Sequence, residues 1–336
     1  MAYKISKKKI LITGATGQIG SFLIERLVKE NAEIFAVSRN KNKLREIQPF
    51  VKSQKIKFLE CDITNEKSIK KNSKFLNDID FFVHLSSGYR FDSSNSMTSN
   101  HHTIEHDLKG TIKILKEFKN LKGILFASSV SIYGKPEYLP VDEDCSVNPN
   151  HFYRVGKFGA EKILQSFALK NKIPLTILRI AAVVGERDKS NQIIPICVNK
   201  ALKNEIINVN EKSSRDYIHI FDLVEFLIRA IKKNRNDIVN IGSGEKISAE
   251  KIIKKIIKLS NSKSKITYSR KTVGYDLICD ISKAVKNFHY KPKYSIEKGI
   301  LDEIKWYKNS QFLWSLELIS YKSNILIRFL KISQWS

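Results

Sequence analysis

Cysteine is scarce: the 336 residues hold four, at 61, 145, 197 and 279, and no metal-like or redox spacing joins them. A reduced cytoplasm is therefore the expected compartment. No uncharged apolar run is long enough to cross a bilayer, and the start Met1-Ala2-Tyr3-Lys4 leads into lysines rather than a signal peptide. Internal repeats and long linkers are missing. Acids are outnumbered, 34 against 59 Lys and Arg, which leaves a net charge of +25. The lysines are spread over most of the predicted helices, in a chain rich in Ile, Lys and Asn throughout. No aromatic stacking platform or compact basic motif accompanies them, so no specific nucleic-acid partner is expected. His102 and His106 share a helical face with His101 nearby, but they lack an obvious third ligand, and no metal is expected. What the chain does have is 42% hydrophobic residues, enough for one large core or two modest ones, which excludes intrinsic disorder.

Its most informative stretch is Thr13-Gly14-Ala15-Thr16-Gly17-Gln18-Ile19-Gly20, which follows the strand-like Ile10-Leu11-Ile12 and opens an amphipathic helix at Phe22-Leu23. Glycine at 14 permits a tight turn, glycine at 17 lets backbone N–H groups approach a pyrophosphate, and glycine at 20 allows close helix–strand packing. Gly14, Thr16, Gly17, Gln18, Ile19 and Gly20 are the expected cradle of a dinucleotide. A second strand, Glu33-Ile34-Phe35-Ala36-Val37, ends at Ser38-Arg39, where an acid commonly holds the ribose 2′-OH. No acid stands there. A hydroxyl and a forked guanidinium suit a 2′-phosphate instead, which favours NADP over NAD.

Downstream, Tyr153 and Lys157 are spaced to share one face of a helix, and Ser129 ends a strand that can meet them. Hydride transfer at a carbinol carbon needs a group that takes or gives the hydroxyl proton near neutral pH. A free phenol, at ~10, is too weak a base. A cation ~4 Å away, interacting by about 4 kcal/mol at an effective dielectric of ~20, lowers it by up to about three units. Lys157 thus activates Tyr153, while Ser129 hydrogen-bonds the same substrate oxygen.

These motifs, with Cys61-Asp62-Ile63-Thr64, Val83-His84-Leu85-Ser86-Ser87, Gly110-Thr111, Leu178-Arg179, Arg215-Asp216-Tyr217-Ile218-His219 and Trp306-Tyr307, occur in an order that resembles the extended short-chain dehydrogenase/reductase family, the nucleotide-sugar epimerases, dehydratases and reductases. The resemblance implies that Asp62 and Ile63 hold the adenine, that Leu85 and Ser86 line the cofactor, and that Ser129, Tyr153 and Lys157 form the catalytic triad. It places Arg215 on the substrate diphosphate and implies a homodimer joined by segments near 103–118 and 158–169. Val130 and Ser131 stand where the 4,6-dehydratases carry an acidic pair, which speaks against dehydration. Ser131 also replaces the cysteine of reductases that epimerise C3 and C5, and a small hydroxyl residue there is similar to the 4-epimerases. Asp107 stands where an asparagine is usual.

The expected fold is an α/β Rossmann doubly wound parallel sheet with a smaller, discontinuous substrate domain. Residues 1–185 and 216–244 are read as the dinucleotide-binding domain and 186–215 with 245–310 as the substrate-binding domain. An apolar, basic extension follows at 311–336, which packs on its own protein, pairs with another subunit or lies on a membrane surface. The expected activity is nucleotide-sugar 4-epimerisation by transient oxidation at C4. A 4-ketoreductase using fresh NADPH is the alternative, and a non-catalytic NADP-binding regulator or RNA-binding protein is the rival from another class.

Overall fold

A computed structural model describes residues 4–41, 44–88, 97–211, 213–272 and 274–309. The extension at 311–336 lies outside the described residues. In chain order the elements are β1 (Lys9–Thr13), α1 (Gln18–Lys29), β2 (Glu33–Ser38), α2 (Gln48–Lys52), β3 (Ile56–Glu60), α3 (Glu66–Leu76), β4 (Phe81–His84), α4 (Met97–Ile104), a π-turn at Glu105–Gly110, α5 (Thr111–Leu115), β5 (Gly123–Ser129), α6 (Phe152–Asn171), β6 (Leu175–Ile180) and β7 (Ala182–Val184). There follow α7 (Ile193–Leu202), β8 (Ile207–Glu211), β9 (Ser214–Arg215), β10 (Tyr217–His219), α8 (Ile220–Lys233), β11 (Asp237–Ile241), β12 (Ile247–Ser248), α9 (Ala249–Ser260), β13 (Ile266–Thr272), α10 (Ser282–Phe288) and α11 at 296–309.

Seven strands form one parallel sheet in the order β11-β6-β5-β4-β1-β2-β3. Because successive strand residues face opposite ways, Ile10 and Ile12 pack under α1 and α8 with Leu23, Leu27 and Phe226, while Leu11 points to the other face with Ile69 of α3 and Leu164 of α6. Both faces are covered, as a parallel sheet requires. Chain order reverses between β1 and β4, so their carboxyl ends, Thr13 and His84, open onto the crevice where such sheets bind ligands.

A second core joins α7, α9, α11 and the parallel pair β8–β13 through Ile194, Val198, Ile207, Ile252, Ile256, Ile300 and Ile304. The cores divide the chain less simply than boundaries at 185, 215 and 244 suggest. Val184 and Tyr217 enter the second core. Ala284, Phe288 and Tyr290 return to the first, where α10 packs on β11 and α8. An amphipathic helix joins whichever face completes its burial, and its position along the chain does not dictate which.

Candidate active site

Gly14 holds φ of +69°, and a Cβ there would stand 2.9 Å from the Ser86 backbone nitrogen. At position 20 a Cβ would overlap the Gly14 carbonyl oxygen and lie 2.8 Å from the Ala15 Cα. The loop therefore needs glycine at 14 for its left-handed turn and at 20 for close packing. Gly17 caps α1 without a side-chain bond, and no acid occupies the first turn, so that helix end is open to negative charge. Gln18 and Ile19 have their side chains engaged elsewhere. The Gln18 amide donates to the carbonyls of Gly185 (3.0 Å) and Glu186 (2.9 Å), and Ile19 packs against the core, so each offers the loop its backbone N–H.

At the end of β2, the hydroxyls of Thr16 and Ser38 are 3.2 Å apart, which joins the glycine loop to the candidate 2′-phosphate position. Exposed Arg39 places Nη1 2.9 Å from His102 Nε2 on α4. A guanidinium only donates, so that imidazole nitrogen accepts. The Asp62 carboxylate accepts from the Thr64 N–H (2.9 Å) and hydroxyl (2.8 Å). Burial works against its ionisation, but the Thr64 bonds and the Arg39 charge outweigh that and hold it below the usual carboxylate range. Ile63 is buried beside Gly110, where a Cβ would stand 2.9 Å from its Cγ1. Leu85 and Ser86 follow β4, and the Ser86 N–H donates to the Thr13 hydroxyl at 3.4 Å.

On the other side of the crevice, Ser129 ends β5 and caps the short turn that follows. Its Oγ lies 2.9 Å from Ser131 Oγ and accepts from the Ser131 N–H at 3.2 Å. The α6 helix is capped by His151, whose Nδ1 accepts the Tyr153 N–H at 3.2 Å and so fixes the first turn that carries the tyrosine. One turn on, Lys157 is only 4% exposed. Its Nζ donates to the carbonyls of Ala127 (2.9 Å) and Ser86 (3.4 Å) and lies 5.0 Å from the Phe126 ring centre. Burial pulls its pKa down, opposed by the charges of Asp107 and Glu161. Lys157 thus ties α6 to the ends of β4 and β5, the same ends that face the glycine loop.

Arg215 stands apart from this group, on β9. It is partly buried, with Nη1 bonded to the carbonyls of Tyr275 and Ser214 and the guanidinium 5.0 Å from the Tyr275 ring centre. Its neighbour Asp216 turns inward instead, accepting from the Ser243 N–H and hydroxyl and the Gly244 N–H, so it is a structural clasp of the β11 exit. Among the described residues no group of three His, Cys, Asp or Glu is arranged to hold a metal ion. No helix there is long and apolar enough to cross a membrane.

Two buried networks support the site. His84 is pushed down to about 3 by burial and by the Lys157 charge, and it sits neutral between the hydroxyls of Thr13 (2.7 Å) and Thr111 (3.0 Å). The Glu161 carboxylate is held by Arg179 (3.1 and 3.3 Å) and by the Ser128 hydroxyl, and Arg179 also donates to Tyr133 OH at 2.9 Å. Sequence patterning signals neither network, because an acid or histidine inside a helical or strand run looks the same whether it faces solvent or a neighbour.

The family model for the NAD-dependent epimerase/dehydratase family matches residues 10–242. A putative UDP-glucose 4-epimerase of Methanocaldococcus jannaschii is 29% identical over 90% of this chain and 99% of its own length. A dTDP-4-dehydro-6-deoxyglucose reductase of Escherichia coli is 30% identical over 89% and 97%. Among solved structures, the UDP-glucose 4-epimerase of Thermotoga maritima superposes with a TM-score of 0.80 at 22% identity, covering 90% of this chain and 99% of that one. The UDP-glucuronic acid 4-epimerase of Bacillus cereus, solved with NAD, gives 0.80 at 25% over the same shares. The ordered motifs, the seven-stranded sheet and the match over most of the chain agree: this protein belongs to the NAD-dependent epimerase/dehydratase family and is an enzyme.

Proposed function

We propose that the protein is a nucleotide-sugar 4-epimerase. The reading rests on one observation above the others: Lys157 is locked by two carbonyls at the strand ends, one helical turn after Tyr153 and beside the strand that ends in Ser129. A fixed ammonium there favours the phenolate, so Tyr153 takes the proton of the sugar C4 hydroxyl and later returns it. Ser129 donates to the same oxygen and stabilises the charge that develops on it, with Ser131 orienting the Ser129 hydroxyl. When bound, the nicotinamide cofactor would supply the acceptor and donor for the C4 hydride. Gly14, Thr16, Gly17, Gln18, Ile19 and Gly20 would hold its pyrophosphate, Asp62 and Ile63 its adenine, and Leu85 and Ser86 its inner face. A Cβ at Gly14 would collide with the Ser86 backbone and one at Gly20 with the Gly14 carbonyl, so the loop keeps the shape such a cradle requires only with glycine at both positions. Arg215 holds the substrate diphosphate, and between the two transfers the sugar presents its opposite face.

NADP suits this chain because Ser38 and Arg39 offer a hydroxyl and a guanidinium where an acid would hold NAD, and the working unit is a homodimer. The same two residues favour a second reading, an NADPH-dependent 4-ketoreductase, and the Escherichia coli relative named as a reductase supports it. Native mass spectrometry of the purified protein, followed by incubation with a panel of nucleotide sugars with and without NADPH, separates the two. A retained dinucleotide and conversion without added NADPH are expected of the epimerase, whereas turnover only with NADPH assigns the ketoreductase.

A further inference from the structure

The Lys157 ammonium needs a counter-charge, because its two bonded partners are neutral carbonyls and the side chain is almost fully buried. Charged and titratable groups face it from each element around it. From β4 comes His84, neutral between two hydroxyls. From its own helix come Tyr153 and Glu161, and the Glu161 charge is matched by the equally buried Arg179 of β6. From the π-turn come His106 and Asp107. Asp107 is 2% exposed and accepts from the Ser87 hydroxyl (3.0 Å), the Gly88 N–H (2.7 Å) and the His106 ring (2.9 Å), none of them a guanidinium or ammonium. The extra residue of the π-turn swings this carboxylate against α6, where a Cβ on Gly156 would stand 3.1 Å from Asp107 Oδ2, directly before Lys157.

Resting on the roles proposed above for Tyr153 and Lys157, we infer that Asp107 is a positioning residue for Lys157. It pins the 86–88 segment so that the Ser86 carbonyl meets the ammonium, and it supplies the negative charge that sets the pH range of the Tyr153–Lys157 pair. This pair releases its protons in two coupled steps, and removing a nearby negative charge lowers both.

The test compares the cofactor-loaded wild type with Asp107→Asn, which keeps an oxygen acceptor and loses the charge. Ultraviolet difference titration, each protein minus its Tyr153→Phe counterpart, isolates the Tyr153 phenolate. A unit charge several ångströms away at an effective dielectric of about 20 moves such a titration by about one to two pH units. In Asp107→Asn the phenolate is expected to form that much lower in pH, with the rate profile shifting the same way. A thermal-unfolding cycle with Lys157→Met adds a readout that survives a poorly folded single variant. Asp107→Asn should destabilise the wild type more than it destabilises Lys157→Met, where the carboxylate has lost its partner. An unmoved phenolate titration together with additive unfolding effects overturns the inference, whatever the turnover. Absence of turnover on every nucleotide sugar, with the shift and the coupling both present, rejects the C4 reading and supports the role of Asp107.

Discussion

Replacing Glu303 with glutamine should stabilise the protein by an amount that grows with pH. Glu303, on α11, is 0% exposed, and among the described residues neither of its carboxyl oxygens has a hydrogen-bond partner. Burial, reinforced by the Asp188 charge and only partly offset by the nearby Gly185 N–H, pushes its pKa from the ordinary 4.5 up to about 9. An unfolded chain releases this proton near 4.5, whereas the folded chain holds it to about 9. Between those values the native state binds more protons, so its stability is greatest at the acid end and falls as pH rises. At about 1.4 kcal/mol per pH unit, the loss between roughly pH 5 and 8 is of the order of 4 kcal/mol, reduced by whatever relaxation admits water. Glutamine has the same shape and does not titrate, so subtracting wild type from variant cancels the other groups. Urea unfolding at several pH values from about 5 to 8 should give a difference near zero at the acid end, within about 1 kcal/mol, and several kcal/mol in the variant's favour at the alkaline end. A difference that stays constant across the series would show that Glu303 ionises normally and that its surroundings are wet.

Tyr153→Phe should abolish turnover with cofactor binding intact, and Lys157→Met should leave at most a residual rate displaced to higher pH, because the phenol has lost its neighbouring cation. Substantial activity in Tyr153→Phe removes the tyrosine from the proton transfer. Wild-type protein should bind NADP(H) more tightly than NAD(H), and Ser38→Asp with Arg39→Asn should reverse the order. Charge-assisted bonds of about 1.5–3 kcal/mol correspond to roughly ten- to over a hundredfold in affinity, and calorimetric titration finding equal affinities in the wild type would refute the assignment. Deleting 311–336 should preserve the per-site rate while lowering the melting temperature or altering assembly, since apolar residues there lie beyond every catalytic motif. Loss of liposome sedimentation alone assigns that segment to a membrane surface, and loss of turnover in folded, cofactor-loaded protein assigns it to the active site.

Much of the fold can be read along the chain, because its causes are local. Alternating apolar residues separated by amphipathic runs mark a covered parallel sheet, and the apolar segments at 175–178 and 238–241 lie in it within β6 and β11. The glycine loop is equally readable, since the need for φ of +69° at Gly14 and for bare backbone at Gly20 is written in residue type. What stays hidden depends on direction. Helical spacing puts His102 and His106 on one face, and their ring centres do lie 6.4 Å apart, but spacing alone does not reveal that His106 is buried against Asp107 while His102 meets Arg39. Gln18 reads as part of the phosphate loop, yet its amide reaches 167 residues along the chain to Gly185. The inward turn of Asp216 and the return of Phe288 to the first core are long-range choices of the same kind.

Oxidation at C4 is tested most directly by an isotope. A nucleotide sugar that the protein turns over is supplied with deuterium on C4, and both epimers are recovered from ordinary water and examined by NMR. If the hydrogen leaves as hydride and returns to the opposite face of the same sugar, both epimers keep deuterium at C4. Washout into solvent, or epimerisation that proceeds unchanged in Tyr153→Phe, would contradict the mechanism at its centre.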